Sequence, residues 1–213
     1  MSVKHPVSLS DFVSKLPSDE RFQEMKMKYV FNKRDAKAFM QVADGNYDYI
    51  FIGQGHIITT NGVCLVMANV DDVIGKPFVR IPGEFIRKAI KNKSNIIVDF
   101  EKMICKDESY NECELCESHI KHKNFLKFFD HKPEEIKTSF LNIAGDIMER
   151  IYKFSKDLKI HKFMSFKQIS GNHTVIVWEK VDNVVGLVCN HSGFRDDENE
   201  FNDFLNELLS EFK

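Results

Sequence analysis

The sequence predicts an α+β protein whose antiparallel sheets are covered on one face by two or three helices, and two observations carry that prediction. Short runs of alternating apolar and polar residues predict strands, whereas apolar residues spaced three and four apart predict helices. A strand, a helix and two or three further strands also follow one another three times, at intervals of about fifty residues, which indicates a modular architecture. Residue identities barely repeat, so the repeat is one of pattern only.

The first unit begins with a strand over 27–31, in which large apolar side chains alternate along the chain. Asn32 then caps a helix over 33–42, because an asparagine side chain can accept a hydrogen bond from the first helical turn. Three strands follow, and Asn61-Gly62 between the last two is a strong signal of a tight hairpin.

The other two units repeat this order. The second has a strand over 77–81, a helix over 84–95 and strands over 95–100 and 102–105, before a polar stretch over 106–123 interrupts the pattern. The third has a strand over 139–143, a helix over 143–158 and strands over 162–169, 173–180 and 183–190.

The predicted domain organisation has four parts. Residues 1–23 form an N-terminal appendage, 24–132 hold the first two units, and 133–194 hold the third. Residues 195–213 form an acidic helix whose apolar side chains fall on one side, so this helix packs on its own domain or docks on a partner.

Composition excludes several classes of protein. A formal net charge of −2 gives no bulk attraction to nucleic acid, so any such contact needs a local basic patch. The first residues lack the apolar core of a secretory signal, and no apolar run approaches the roughly 20 residues that cross a membrane. Five cysteines without an export signal are typical of reduced thiols, so we expect a cytoplasmic protein.

Three segments resemble the bacterial β sliding clamp, the DNA polymerase processivity factor. Residues 58–65 (ITTNGVCL) resemble the clamp hairpin T-D-G-x-R-L, and residues 78–82 resemble the clamp strand that ends in proline before a basic helix. Residues 184–188 are placed like the last strand of a clamp domain. Their order matches the short clamp-like proteins of phages and prophages, and the resemblance covers roughly residues 25–192.

The sequence departs from the clamp pattern at three points. Asn61 replaces the aspartate of the hairpin motif, Cys64 stands where the motif has arginine, and Cys189-Asn190 replaces a final Met-Pro. No residues of the cleft through which clamps bind polymerases and loaders are carried over.

The resemblance implies a DNA-clamp-like fold of repeated βαβββ half-modules and a non-enzymatic protein of phage or prophage replication or repair. The implied partners are double-stranded DNA, which clamp helices face, further copies of the chain, and a polymerase or other replication protein. Because three half-modules cannot close a ring, a homo-oligomer is expected. No cofactor is implied.

The charge of the predicted helices agrees with such a role. The net charge is +2 over 33–42, +3 over 84–95 and +2 over 144–162, although the whole chain is slightly acidic. Basic helices suit sequence-independent contact with phosphates, but lysine and arginine also simply favour exposed helices. The candidate DNA contacts are Lys33, Arg34, Lys37, Arg87, Lys88, Lys91, Arg150, Lys153 and Lys156.

A second candidate site is the cluster Cys113, Cys116, His119 and His122. Cysteine and histidine are the natural zinc ligands, so the cluster makes a zinc-binding adaptor an alternative function. The spacing argues against zinc, since zinc fingers separate their two ligand pairs by a long loop. A solvated hairpin loop and a redox pair of Cys113 and Cys116 are the other interpretations.

Enzymatic chemistry is not predicted. Gly53-Gln54-Gly55 lies between two strands, and no helix follows it to form a phosphate loop. No Ser/His/Asp or Cys/His arrangement stands out. The remaining alternative is a clamp-shaped interaction module that binds a host replication or defence factor, without DNA, through the acidic C-terminal helix.

Overall fold

The computed structural model describes residues 27–118, 143–161, 164–170, 173–178 and 183–189. The predicted appendage 1–23, the C-terminal helix 195–213 and most of the strand over 139–143 lie outside these ranges. Within them, no helix is long and apolar enough to span a membrane.

The first unit has the predicted order of one strand, one helix and three strands. Asn32 caps the helix, since its Oδ1 accepts a hydrogen bond from the backbone N–H of Asp35 at 2.9 Å. The elements are β1 (Lys28–Phe31), α1 (Lys33–Met40), β2 (Tyr49–Gly53), β3 (His56–Thr60) and β4 (Cys64–Asn69).

The second unit repeats this order as β5 (Val79–Pro82), α2 (Gly83–Lys91), β6 (Ile96–Asp99), β7 (Ile104–Asp107) and β8 (Glu112–Glu114). A two-residue strand, β9 (Cys116–Glu117), follows. The described part of the third unit is α3 (Gly145–Leu158), β10 (Met164–Ser170), β11 (His173–Trp178) and β12 (Val184–Cys189).

The first two units exchange their first strands. In the four-stranded sheet, the strand order is β1-β6-β7-β8, so the first strand of unit one extends the sheet of unit two. In the eight-stranded sheet, β5 of unit two pairs with β2 of unit one in the same way. The exchange makes the two units halves of one domain.

The third unit joins the first through a strand pair. The eight-stranded sheet has the order β10-β11-β12-β4-β3-β2-β5-β9, and β12 pairs antiparallel with β4, with Leu187 opposite Leu65. All strand pairs of both sheets are antiparallel. The α+β class with antiparallel sheets is therefore confirmed.

The hydrophobic core runs without a break from the first unit into the third. Ring centroids of Phe31 and Phe39 are 6.2 Å apart, those of Phe39 and Phe154 are 5.3 Å apart, and those of Phe154 and Trp178 are 5.6 Å apart. Phe39 on α1 therefore contacts both β1 and α3, and the third unit shares the core of the first two.

The predicted hairpin at Asn61-Gly62 is confirmed. Oδ1 of Asn61 accepts hydrogen bonds from the backbone N–H groups of Val63 and Cys64 at 3.1 and 2.8 Å. Gly62 has φ +87°, and a Cβ there would lie 2.6 Å from Cε2 of Tyr47. Only glycine, which has no Cβ, adopts this backbone conformation easily and leaves room for the ring of Tyr47.

Two strands of the structure were not predicted from the sequence. The polar stretch predicted as an interruption over 106–123 contains β8 and β9, which join different sheets. Both are very short and rich in glutamate, so neither carries the alternating apolar pattern that predicts a strand.

A buried hydrogen-bond chain holds α3 on its sheet. The indole N–H of Trp178 donates to Oγ of Ser155 at 2.9 Å, and that hydroxyl donates to the carbonyl oxygen of Ile151 at 2.6 Å. Both side chains are buried. Without Ser155, the indole would lose its partner away from water.

Replacing Ser155 by alanine is expected to lower the free energy of unfolding by about 1–3 kcal/mol, the usual cost of a buried donor left without an acceptor. This loss is measured by denaturant unfolding of four proteins: the wild type, Ser155→Ala, Trp178→Phe and the double variant. Ser155→Ala should cost less in the Trp178→Phe background, where no indole donor remains. An equal cost in both backgrounds would contradict this account.

Candidate nucleic-acid interface

The three helices lie side by side, with α1 in contact with both α2 and α3. Ala36 and Ala38 of α1 are both fully buried, at 0% exposure. Small side chains allow neighbouring elements to approach closely, so the sequence of α1 suits a central helix. All nine predicted DNA contacts are on these helices, and eight are exposed, whereas Arg150 is half-buried.

Ion pairs occupy the junction between α1 and α3. Nζ of Lys37 lies 2.8 Å from Oδ1 of Asp157, whose Oδ2 accepts a hydrogen bond from Nε2 of Gln41 at 2.9 Å. Arg150 on α3 pairs with Asp44, which follows α1. Two of the nine predicted contacts therefore link the third unit to the first.

Arg87 of α2 is paired with Asp48. Its Nη1 donates to Oδ1 of Asp48 at 2.7 Å, and its Nη2 donates to Oδ2. The hydrogen bond to Asp48 raises the pKa of Arg87. Gly83 begins α2 beneath this carboxylate, which would overlap a Cβ at that position.

Three more candidates also have partners, one distant in the chain and two close to them in it. Nζ of Lys33 donates to the carbonyl oxygen of Lys93 at 3.4 Å, and Nε of Arg34 lies 3.3 Å from Oδ1 of Asp35. Lys153 pairs with Glu149 one turn earlier on α3 at 2.8 Å and lowers the pKa of that carboxyl. The other three candidates are exposed and have no ion pair among the described residues: Lys88, Lys91 and Lys156.

The helix bounds correct two of the predicted charges. α2 ends at Lys91 rather than at 95, so Lys93 is outside it and the helix carries three basic residues against one acidic residue. α3 carries three of each sign and is neutral, because Lys159 and Lys162, which the predicted charge included, both come after its last residue, Leu158. The sequence count of +2 for the third helix was therefore wrong.

Asp44 and Asp48 also belong to this surface, although neither was predicted as part of it. Both lie in the connection from α1 to β2, outside the helices whose charge was counted. Their pairing with Arg150 and Arg87 joins residues 106 and 39 positions apart. A charge count extended past the end of α1 would have included them, but their partners depend on the tertiary fold.

The structure places the two cysteines of the predicted zinc cluster on strands of different sheets. Cys113 on β8 lies opposite Cys105 on β7, whereas Cys116 on β9 lies opposite Arg80 on β5 in the other sheet. Burial is the main cause that raises the pKa of both Cys105 and Cys113, so their thiols are held protonated.

Zinc binding stays a prediction, because His119 and His122 lie outside the described residues. Across the ranges that are described, no group of three or more Cys, His, Asp or Glu side chains could hold a metal ion.

Comparisons with known proteins give a fold but no sequence relative. No family model and no curated protein matches the sequence. A DNA polymerase III subunit beta from Borrelia burgdorferi superposes with a TM-score of 0.53 at 10% identity, over 78% of this chain and 64% of the other.

A candidate DNA polymerase III beta subunit from Eubacterium rectale superposes with a TM-score of 0.51 at 9% identity, over 80% of this chain and 66% of the other. The chain thus spans just under two thirds of the length of these proteins. The exchanged first strands, the adjacent helices and these superpositions together show that the chain has the fold of the bacterial DNA polymerase III beta subunit, the β sliding clamp.

Proposed function

We propose that this is a non-enzymatic clamp-type protein that associates with double-stranded DNA in phage or prophage replication or repair. The observation that carries the proposal is the set of three adjacent helices, with eight exposed cations, in a chain with the β sliding clamp fold. Such a surface offers charge to phosphates without reading base sequence.

The described contacts suggest two roles for the nine cations. Lys88, Lys91 and Lys156 are available to phosphates directly, since they have no ion pair among the described residues. The paired cations can also contribute, because an exposed ion pair is worth only about 0–1 kcal/mol and a phosphate can replace the carboxylate. Lys37 and Arg87, each more than half exposed, fit this second role.

Encircling DNA would require several copies of the chain. The three units provide two complete half-modules and the described part of a third, and the chain spans just under two thirds of the length of the two proteins whose fold it shares. Self-association is therefore part of the proposal, and a polymerase or another replication protein is the proposed further partner.

The first test is binding of the purified wild-type protein to a fluorescent duplex at low and moderate salt. We expect sequence-indifferent binding that weakens steeply as salt rises, since bound cations release counterions from DNA. Duplexes of unrelated sequence serve as the control for sequence preference. Absence of binding even at low salt would overturn the DNA-associated function.

A second candidate function is a clamp-shaped module that binds a protein and not DNA. The observation that favours it is the neutralisation of the helical surface by Asp44, Asp48 and Asp157, together with the neutral charge of α3. In this case the duplex experiment would be negative, and a folded protein would still bind a replication or defence factor.

A further inference from the structure

Each of the three helices has one cation that pairs with a carboxylate supplied by another element. On α1, α2 and α3 in turn, the pairs are Lys37 with Asp157, Arg87 with Asp48, and Arg150 with Asp44. The paired residues are 120, 39 and 106 positions apart in the chain. The tertiary structure therefore brings one carboxylate against the cations of each helix.

These carboxylates lower the charge that the helical surface presents. α1 and α2 each carry a net charge of +2, and α3, which includes Asp157, is neutral. Asp44 and Asp48 lie between α1 and β2, and they reduce the total for the surface by half. The surface thus offers phosphates less positive charge than its helices carry.

The pair of Arg87 and Asp48 has the geometry that a phosphate contact would also use. Nη1 and Nη2 of Arg87 donate to different oxygens of the Asp48 carboxylate, the first at 2.7 Å. Arginine binds phosphate through the same two parallel N–H groups. A phosphate can therefore form a bidentate contact with Arg87 only by displacing Asp48.

The backbone and a glycine hold Asp48 in this place. Tyr49 lies opposite Pro82 at the end of the β2–β5 pair, and the N–H of Gly83 donates to the carbonyl oxygen of Asp48 at 2.8 Å. Asp48 therefore lies beside the first turn of α2, and Arg87 is one turn further along the helix. A Cβ at Gly83 would overlap the carboxylate of Asp48, so the missing side chain is what admits it.

We propose that Asp48, admitted by Gly83, competes with DNA phosphate for Arg87 and so keeps the protein from binding a duplex as tightly as its helices allow. This inference rests on the proposed DNA association and concerns its strength. Because Asp48 belongs to the same chain as Arg87, it competes at a high effective concentration. Weak, exchangeable phosphate contacts suit a protein that moves along a duplex, since electrostatic binding allows sliding.

The first variant removes the competition without changing any charge. Gly83→Ala places a methyl group where the far end of the Asp48 side chain lies, and that side chain can rotate away. The fold should tolerate this change, because alanine favours a helix more than glycine does. Gly145→Ala is the matched control, since Gly145 begins α3 as Gly83 begins α2, and a Cβ there meets no atom within 4 Å.

The second variant removes the carboxylate itself. Asp48→Asn keeps the shape of the side chain, and Asp72→Asn removes the same charge from an exposed position between β4 and β5. The segment around Asp72 hydrogen bonds to the turn after β2, through the N–H of Gly55 and the carbonyl oxygen of Val73, whereas Asp48 precedes β2. Arg87→Gln, alone and combined with each variant, tests whether the effect passes through that guanidinium.

The measurement is fluorescence anisotropy with a labelled duplex at low and moderate salt, and circular dichroism checks folding. We expect Gly83→Ala and Asp48→Asn to bind roughly two- to fivefold more tightly than the wild type at low salt, the range that one exposed ion pair accounts for. The gain should shrink as salt rises, because salt screens exposed charges. Gly145→Ala should match the wild type, and Asp72→Asn should gain less than Asp48→Asn.

Two results would overturn the competition. One is that neither Gly83→Ala nor Asp48→Asn binds more tightly than its control, and the other is that the gain persists in the Arg87→Gln background. If the wild type bound the duplex in such a case, the DNA-associated function would stand and only the competition would fail. Absence of binding by the wild type and by both variants at low salt would overturn both proposals.

Discussion

Replacing Lys88 and Lys91 together by glutamate is expected to weaken duplex binding and to flatten its dependence on salt. Both lysines are exposed on α2, the helix with three basic residues and one acidic residue, and neither has an ion pair among the described residues. Each phosphate contact contributes about −0.9 to the slope of log K against log salt. Two lost contacts therefore reduce the slope by about 1.8.

This change in slope is large enough to measure by fluorescence anisotropy. Between about 50 and 200 mM salt, two phosphate contacts account for a roughly twelvefold loss of affinity, which the variant would no longer show. The affinity at low salt should fall by a similar factor or more, because the new glutamates repel phosphates. The expected result is a weaker complex that responds less to salt.

The matched control reverses two other exposed lysines, Lys102 and Lys106. They are in the second unit, as α2 is, but on the turn before β7 and on β7 itself. Both double variants change the net charge by the same amount. The comparison therefore separates the effect of where the charge lies from the effect of the total charge. Equal weakening by the two variants would mean that total charge, and not the helical surface, governs the binding.

Replacing Gly53 by alanine is expected to lower the free energy of unfolding by at least about 3 kcal/mol, at the upper end of what single substitutions do. Gly53 ends β2 with φ +147°, and a Cβ there would overlap the carbonyl oxygen of Pro77 and lie 2.7 Å from Cα of Phe78. Both are backbone atoms, so no side chain can rotate away. The chain before β5 would have to move, and β5 pairs with β2.

Thermal and denaturant unfolding measure this cost. In a chain of this size, about 3 kcal/mol corresponds to a fall in Tm of roughly 10 °C. Gly45→Ala is the matched control, because Gly45 also has a positive φ, +56°, but a Cβ there meets no atom within 4 Å. The control should cost only about 1–2 kcal/mol, the backbone preference alone. Similar losses from both variants would show that the close approach to Pro77 and Phe78 is not what requires glycine.

Local features of this protein could be predicted well from its sequence. The alternation in 27–31, the spacing of apolar residues in the helices and the turn at Asn61-Gly62 are each set by neighbours in the chain. From these local patterns, all three described α-helices and nearly all of the longer strands were predicted at their correct positions. The end of α3 at Leu158 was predicted correctly, whereas α2 ends at Lys91 and not at 95, because a left-handed residue such as Lys93 has no clear signal when it is not glycine.

The candidate site was predictable as a set of residues but not as an electrostatic surface. The nine cations lie on three adjacent helices, six of them exposed or half-buried with partners and three exposed without an ion pair among the described residues. Which cations are neutralised depends on Asp44, Asp48 and Asp157, whose partners are distant in the chain. A charge count along one helix contains no information about a carboxylate supplied by another element.

The sequence by itself determined the repeated units, their antiparallel strands and the basic residues of the helices, because periodicity and turn chemistry act over a few residues. Only the tertiary structure decided how the units combine. The exchange of β1 and β5, the pairing of β4 with β12, and the pairing of the short strand β9 with β5 all join distant segments. Their stability comes from backbone hydrogen bonds and shared burial, which depend on what lies alongside a strand more than on the residues within it.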